Sequence, residues 1–381
     1  MTLILPRSAT LVARVHVPGT GPCVAKIDGD LLIDITATFP TVRDLCESTD
    51  PAGALRSARG EELGSVTDIV TNTAPRSRDG SKPWLLTPID LQAVKAAGVT
   101  FVVSMLERVI EERARGDADA AAAIRQHIQE LVGSDLRKLR PGSQQAAALK
   151  ETLVSAGAWS QYLEVGIGPD AEVFTKAQPM SAVGTMMDVG VHPKSTWNNP
   201  EPEVVLVVSS KGRIIGATLG NDVNLRDVEG RSALLLGKAK DNNASAAVGP
   251  FIRLFDGDFT LDTVRRMELT LTVEGQDGFR MTGHSAMSEI SRDPEDLVAQ
   301  TVGSHHQYPD GLVLFLGTMF APIEDRDAPG RGFTHKTGDI VTIETPEIGA
   351  LVNRVVPTDE AEPWTFGTAD LMRNLAGRGL L

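Results

Sequence analysis

The sequence predicts a mainly β, α+β protein with a smaller N-terminal α/β domain, and three patterns carry that expectation. After about residue 160, short apolar runs alternate with turns rich in Gly, Asp and Pro, as expected of many paired strands. Residues 9–35 read as strands arranged about Asp28-Gly29, a dipeptide that suits the positive φ angles of a tight hairpin. Between residues 90 and 157 the pattern changes to Ala-, Leu- and Glu-rich segments with helical spacing.

Taken in order, strands are expected over 9–17, 22–27 and 31–35. Thr41-Val42-Arg43-Asp44 then sets a hydroxyl and a carboxylate three residues apart, so that each accepts from a free N–H at a helix start. The polar, Pro- and Gly-bearing stretch 74–83 reads as an exposed loop or linker. It suggests a division into a small β-rich domain (1–85), a helical connecting segment (86–159) and a main β domain (160–381). Helices are expected over 105–115, 118–132 and 144–154, punctuated by Gly133, Pro141 and Gly142. Further strands are expected over 203–208, 213–219, 266–273, 312–316 and 340–345.

With 381 residues, 41% hydrophobic, the chain is long enough for a large core and two units. Its 37 Lys and Arg against 50 Asp and Glu leave a formal charge of −13 and no basic cluster, which argues against nucleic acid or an anionic membrane as partner. Cys23 and Cys46 are too few for a disulfide scaffold or a Cys-rich zinc site, and they fit a reducing compartment. The start Met1 to Arg7 lacks a basic leader region, its apolar run ends at Pro6, and no run reaches membrane-spanning length, so a cytoplasmic location is expected.

The segment most informative about chemistry is Asn198-Asn199-Pro200-Glu201-Pro202-Glu203, which opens an apolar run. Side chains two apart on a strand share a face, so Glu201 and Glu203 point the same way. If residues 209–212 turn the chain back, these glutamates face about Gly220 and Thr218, with Asp222 just beyond. Three converging carboxylates repel one another unless a divalent cation neutralises them, and oxygen-only ligation favours Mg²⁺ or Mn²⁺. The same spacing also fits two solvated glutamates on an edge strand and a turn aspartate.

Glu201-Pro202-Glu203, the block Gly220-Asn221-Asp222-Val223-Asn224-Leu225-Arg226-Asp227, and Lys240 followed by Gly249-Pro250 resemble the fumarylacetoacetate hydrolase family in order and spacing. The stretches from Gly311 to Thr318, Thr337 to Val341 and Ile348 to Asn353 extend the resemblance, which covers roughly 160–356. It implies a C-terminal β-roll of that family's type and a homodimer. It further implies that Glu201, Glu203 and Asp222 bind Mg²⁺, with Mn²⁺ as an alternative, at the mouth of the roll.

Pro169-Asp170-Ala171-Glu172-Val173-Phe174-Thr175-Lys176 and Gly98-Val99-Thr100-Phe101-Val102-Val103-Ser104 are similar to segments of the members that dehydrate 2-keto-3-deoxy-pentonates. That likeness implies Glu172 and Lys240 as the acid–base pair, with Ser104 and Thr318 contacting a small 2-keto acid. Asn224 and Leu225 depart from serines common in the family block, and the stretch from Ser104 to Glu172 is longer than in compact members. A lysine beside Mg²⁺ is expected to have a depressed pKa.

The implied reaction is Mg²⁺-dependent loss of water from a 2-keto-3-deoxy-pentonate to give 2,5-dioxopentanoate. Hydrolases of the family use a His-Glu pair to activate water, whereas the seven histidines here are scattered and none lies near Glu172 in the sequence. That favours dehydration over carbon–carbon bond hydrolysis of an acylpyruvate or diketo acid. A non-catalytic, metal-stabilised binding protein is the remaining alternative. Trp197, close to the ligand strand, is a candidate pocket wall, and the adjacent His305 and His306 diverge in direction and lack a carboxylate partner at ligand spacing.

Overall fold

The computed structural model describes residues 5–6, 9–114, 139–155, 159–318, 320, 322, 324–328 and 332–381. The helix expected over 118–132 lies outside these residues. Strands β1 (Leu11–Val17), β2 (Gly21–Asp28) and β3 (Leu31–Asp34) form the expected antiparallel meander, with Gly29 at φ +63° in the hairpin turn. The helix Val42–Cys46 begins with the expected capping box between Thr41 and Asp44. Asp90 strengthens that start from a distance, its carboxylate accepting from the N–H groups of Val42 (2.6 Å) and Arg43 (3.2 Å).

Next come β4 (Glu61–Ser65), β5 (Trp84–Leu86) and β6 (Ala93–Gly98). The last of these corrects the helical expectation for the start of 90–157. Ala93-Val94-Lys95-Ala96-Ala97 has helix-forming residues, but β16 (Leu312–Phe315) pairs with it in parallel and β7 (Glu172–Ala177) antiparallel, and that pairing outweighs local propensity. Helices do follow at Val102–Ala114, Gln144–Ser155 and Gln161–Ile167.

The later half holds β8 (Asp188–Val191), β9 (Asn198–Asn199), β10 (Pro202–Val208), β11 (Ile214–Asp222), β12 (Asn224–Leu225) and β13 (Ala246–Leu254). After them come β14 (Glu268–Glu274), β15 (Arg280–Ala286), β16, β17 (Ile340–Thr345) and β18 (Gly349–Pro357). Among the described residues, one sheet runs β4-β3-β2-β1-β13-β11-β10-β16-β6-β7, with β5 also on β1, and a second runs β15-β14-β17-β18-β8. The first sheet is continuous from the N-terminal meander into the later strands because β1 pairs with β13.

Strand β10 is buried along its whole length, which explains an unbroken apolar run where a half-exposed strand would alternate. Val204, Leu206 and Val208 face a core shared with Leu269, Leu271, Ile343 and Leu351 of the second sheet. Val205 and Val207 face the opposite way, into a core with Val12, Val42, Leu45 and Leu55. The carboxylates continue this second face toward the start of the strand.

The register differs from the expected one by two residues: Glu203, not Glu201, stands opposite Gly220, and Val205 opposite Thr218. A bulge at Val207/Val208 adds a residue to β11 relative to a plain hairpin. Gly220 fits this register because a Cβ there would run into Phe315 and Val205. Gly220→Ala is expected to lower unfolding stability by about 1–3 kcal/mol through overpacking, read as a lower denaturant midpoint with an unchanged m value.

Candidate active site

With Glu203 opposite Gly220, the next facing position sets Asp222 opposite Glu201, and the Asp222 N–H donates to the Glu201 carbonyl at 3.0 Å. Opposed residues of an antiparallel pair share a face, so Glu201, Glu203 and Asp222 converge. One carboxylate oxygen from each lies within 4.8 Å of the others, and all three residues are buried. The edge-strand reading, with solvated glutamates, is thereby excluded.

Two lysines answer this charge. Lys240, at the end of the helix Leu236–Lys240, places Nζ 2.5 Å from Glu201 and 2.9 Å from Asp222. Lys176 is 0% exposed, its Nζ 2.8 Å from the other oxygen of Asp222 and donating to the carbonyls of Lys240 (2.6 Å) and Val223 (3.1 Å). Burial depresses the Lys240 ammonium, but Asp222 and Glu201 outweigh it and raise its pKa above the ordinary lysine value. The depression expected of a lysine beside Mg²⁺ is a separate matter: without the cation, the two carboxylates that contact this amine set the direction. Asp222 is held below the ordinary value: burial opposes, and Lys176 and Lys240 prevail. Glu203 goes the other way, raised by burial and by Asp222 and Glu201, with the Gly317 N–H donating to it at 2.7 Å.

Strand β7 contributes by its period of two. Glu172, Phe174 and Lys176 share a face, which turns the spacing Glu-x-Phe-x-Lys into one wall of the site. Gly98 stands opposite Glu172, and a Cβ there would collide with the Glu172 carboxylate. Burial raises the pKa of Glu172 to about 7, with Glu229 adding to the rise and Arg108 opposing it.

Arg108, from the helix Val102–Ala114, is 7% exposed and pairs with Glu201 and, at 2.8 Å, with Glu229. Together these groups enclose a cavity of about 20 Å³ lined by Glu172, Glu201, Glu203, Asp222, Lys240 and Thr318, with Arg108 and Glu229 at its side.

The donor set suits a hard divalent cation. Five carboxylates (Glu172, Glu201, Glu203, Asp222, Glu229) face three cations (Arg108, Lys176, Lys240), an excess of two negative charges, and Glu172 and Glu203 are the carboxyls raised in pKa. A dication on Glu201, Glu203 and Asp222 would supply that missing charge through oxygen ligands alone.

The structure therefore brings Glu172, Glu201, Glu203, Asp222, Lys240 and Thr318 to one cavity. The Thr318 hydroxyl donates to the carbonyl of Phe320 at 2.9 Å, so this residue also holds its own loop. Ser104 lies on the helix that carries Arg108, and its side chain is outside the described residues. Trp197 packs with Met105, Tyr162 and Leu163, beneath the helices and away from the cavity lining. His305 and His306 are exposed, the latter stacked on Tyr308. Sequence reasoning did not single out Lys176, Arg108 or Glu229 for the site. The period of β7 points to Lys176, whereas no local pattern points to Arg108, which arrives from a separate helix.

Removing either side of this network has unequal costs. Asp222→Asn leaves Lys176 and Lys240 buried without their shared carboxylate, and a loss of about 3–5 kcal/mol in chemical denaturation is expected. Glu172→Gln has a pH signature. A carboxyl raised from 4.5 to about 7 in the folded protein favours folding below pH 4.5, and that contribution is lost as pH rises through 7. Relative to the variant, the wild type should lose up to about 3 kcal/mol across this window, measured as the difference in unfolding free energy at pH 5 and pH 8.

Comparison with known proteins follows the same residues. The profile for the fumarylacetoacetate (FAA) hydrolase C-terminal domain matches residues 155–356. A protein of Haloferax volcanii named probable 2-keto-3-deoxyxylonate dehydratase is 30% identical over 194 residues, 51% of this chain and 63% of the relative. The 2-dehydro-3-deoxy-D-arabinonate dehydratase of Saccharolobus solfataricus is 30% identical over 187 residues, 48% of this chain and 58% of the relative. The aligned region thus spans less than two thirds of either relative. A solved structure of 2-keto-3-deoxy-D-arabinonate dehydratase complexed with magnesium and 2,5-dioxopentanoate superposes with a TM-score of 0.63 at 20% identity, covering 91% of this chain and 99% of that one, a likeness of fold. With the profile matching more than half its length and the motif carboxylates gathered in one buried site, the chain belongs to the fumarylacetoacetate hydrolase family.

Proposed function

We propose that the protein is a Mg²⁺-dependent dehydratase converting a 2-keto-3-deoxy-pentonate to 2,5-dioxopentanoate. The observation that carries this reading is Glu172, a carboxyl poised near neutrality beside three buried carboxylates and a lysine held in its charged form. The dehydratase names of the two sequence relatives support it. So does the magnesium in the structural neighbour.

When bound at Glu201, Glu203 and Asp222, Mg²⁺ supplies a positive charge that polarises the 2-keto acid and acidifies C3. Glu172, with its pKa near 7, is matched to accept the C3 proton at neutral pH. Lys240 is charged and within reach of the same cavity, so it donates to the departing C4 oxygen. The C3–H and C4–O bonds break, a C3–C4 double bond forms, and water leaves; proton shifts in the unsaturated alcohol then give the C5 aldehyde. Ser104 and Thr318 are assigned to substrate contact, and for Thr318 to meet the substrate carboxylate its hydroxyl must turn from the Phe320 carbonyl. Assembly as a homodimer and a cytoplasmic location complete the proposal. Among the described residues no helix is long and apolar enough to cross a membrane.

The test is a mass-spectrometric product assay with 2-keto-3-deoxy-D-arabinonate and an acylpyruvate, each with Mg²⁺ and with EDTA. Mg²⁺-dependent loss of one water from the sugar acid is expected; pyruvate from the acylpyruvate alone would sink the proposal in favour of a hydrolase.

Two further outcomes follow from the roles assigned. As the base, Glu172 must be ionised, so kcat/KM should rise with pH as Glu172 loses its proton and level above it, with Mg²⁺ on the neighbouring carboxylates drawing that rise below the metal-free value of about 7, and Glu172→Gln should lower kcat about 10²–10⁴-fold. Glu203→Gln should abolish the rise in melting temperature that Mg²⁺ gives the wild type, while the fold, monitored by circular dichroism, is retained.

A further inference from the structure

A second cavity, of about 250 Å³, shares no lining residue with the carboxylate site. It is built by the turn that follows β8, by the helix Arg226–Glu229 with the residue before it, and by the segment that leads into the helix Leu236–Lys240. Leu225 and Val228 form an apolar floor, packed from beneath by Ala239. Ala239 stands between Lys238, which lines this cavity, and Lys240, which reaches the carboxylates.

Asp227 fixes the turn. Its carboxylate accepts from the Ser195 hydroxyl (2.7 Å) and the Thr196 N–H (2.9 Å), and its own N–H donates to the Trp197 carbonyl (3.2 Å). Within the same turn the Lys194 N–H donates to Nδ1 of His192 at 3.2 Å, so the proton of that ring sits on Nε2. The backbone that carries Lys194 is thereby held in place beside the floor.

Charge is what points to a ligand. Lys194, Arg231 and Lys238 are exposed, and their side chains have no ion-pair or hydrogen-bond partner among the described residues. Elsewhere in this acidic chain surface cations do find carboxylates, as Arg265 does on Asp293 and Glu295 and Lys336 on Asp277 and Asp327. Within the cavity the only carboxylate in the lining is Asp227, whose oxygens already serve Ser195 and Thr196. Three positive charges thus face one negative, an excess of two in a chain of formal charge −13. A concave surface of one sign focuses its field and concentrates ions of the other.

We propose that this cavity binds a small dianion, a phosphate monoester or a dicarboxylate, held by Lys194, Arg231 and Lys238 over the floor of Leu225 and Val228. The excess of two charges favours a dianion over a monoanion. Arg231 offers the forked N–H groups that suit a pair of phosphoryl or carboxylate oxygens. All three cations are open to solvent, so a ligand reaches them without rearrangement of the core.

The test titrates glycerol 3-phosphate and succinate into the intact, Mg²⁺-free protein by calorimetry, beside the monoanions dimethyl phosphate and succinamate. At least one dianion should bind, the tighter of the two naming the ligand class, and its monoanion should bind about fivefold weaker, the loss of one partly exposed ion pair. Arg231→Gln should weaken the dianion by a similar factor. Combining Lys194→Gln, Arg231→Gln and Lys238→Gln should abolish binding with the melting temperature retained, since all three side chains are exposed. Lys211→Gln, at an exposed cation that does not line the cavity, should change nothing. Equal binding of dianion and monoanion, binding of neither dianion at millimolar concentration, or binding that persists in the triple variant overturns the proposal. So does a fall in sedimentation mass in that variant, which would assign the cations to a contact between copies of the chain.

Discussion

The alignment of β10 against β11 is the constraint on which the site depends. It sets Asp222 opposite Glu201 and Glu203 opposite Gly220, so that three carboxylates share one face of a sheet whose central strand is buried on both sides. Like charges at such separations in a poorly polarisable interior repel strongly. Buried charges persist only when paired, and the rest of the site is the means of pairing them. Lys176 comes from β7, Lys240 from a short helix after β12, and Arg108 from a helix outside the sheets. Three separate parts of the chain are thus bound to one pair of strands by electrostatics.

Within that network the two kinds of carboxyl are separated by their neighbours. Asp222 touches two ammonium groups and stays ionised, whereas Glu203 has a single backbone donor and Glu172 lies farther from the cations. Sites that hold both an ionised and a protonatable carboxyl can bind a cation and move a proton without one task cancelling the other. The small cavity and the buried walls strengthen every one of these interactions by excluding water.

The N-terminal strands are more than an addition to the β-roll. Because β1 pairs with β13 and Val12 packs in the same core as Val205 and Val207, they cover the outer face of the strand that carries the carboxylates. The C-terminal helix Thr368–Gly377 in turn holds the β1–β2 hairpin, with Asn374 donating to the carbonyl of Thr20 at 2.8 Å and Arg378 to that of Pro22 at 2.8 Å. The β1–β2 hairpin and this helix thus meet at Thr20 and Pro22.

Local chemistry was enough for some of this. Asp28-Gly29 specified a hairpin because few residues tolerate a positive φ, and Thr41 with Asp44 specified a helix start because both side chains bond their own backbone. Strand spacing made Glu201, Glu203 and Asp222 candidates, and the family resemblance alone added Glu172 and Lys240. What the sequence could not determine were the properties that arise only from pairing distant segments. Ala93–Gly98 has the residues of a helix, and β16 and β7 make it a strand. The register of β10 against β11 stands two residues from the expected one, one of them from the bulge at Val207/Val208. Arg108 reaches Glu201 across 93 positions of sequence, and Lys240 has a raised pKa because two carboxylates from other strands touch it. Propensity and spacing act over a few residues, whereas register, burial and charge pairing are decided by whichever strands and helices the folded chain brings within a few ångströms.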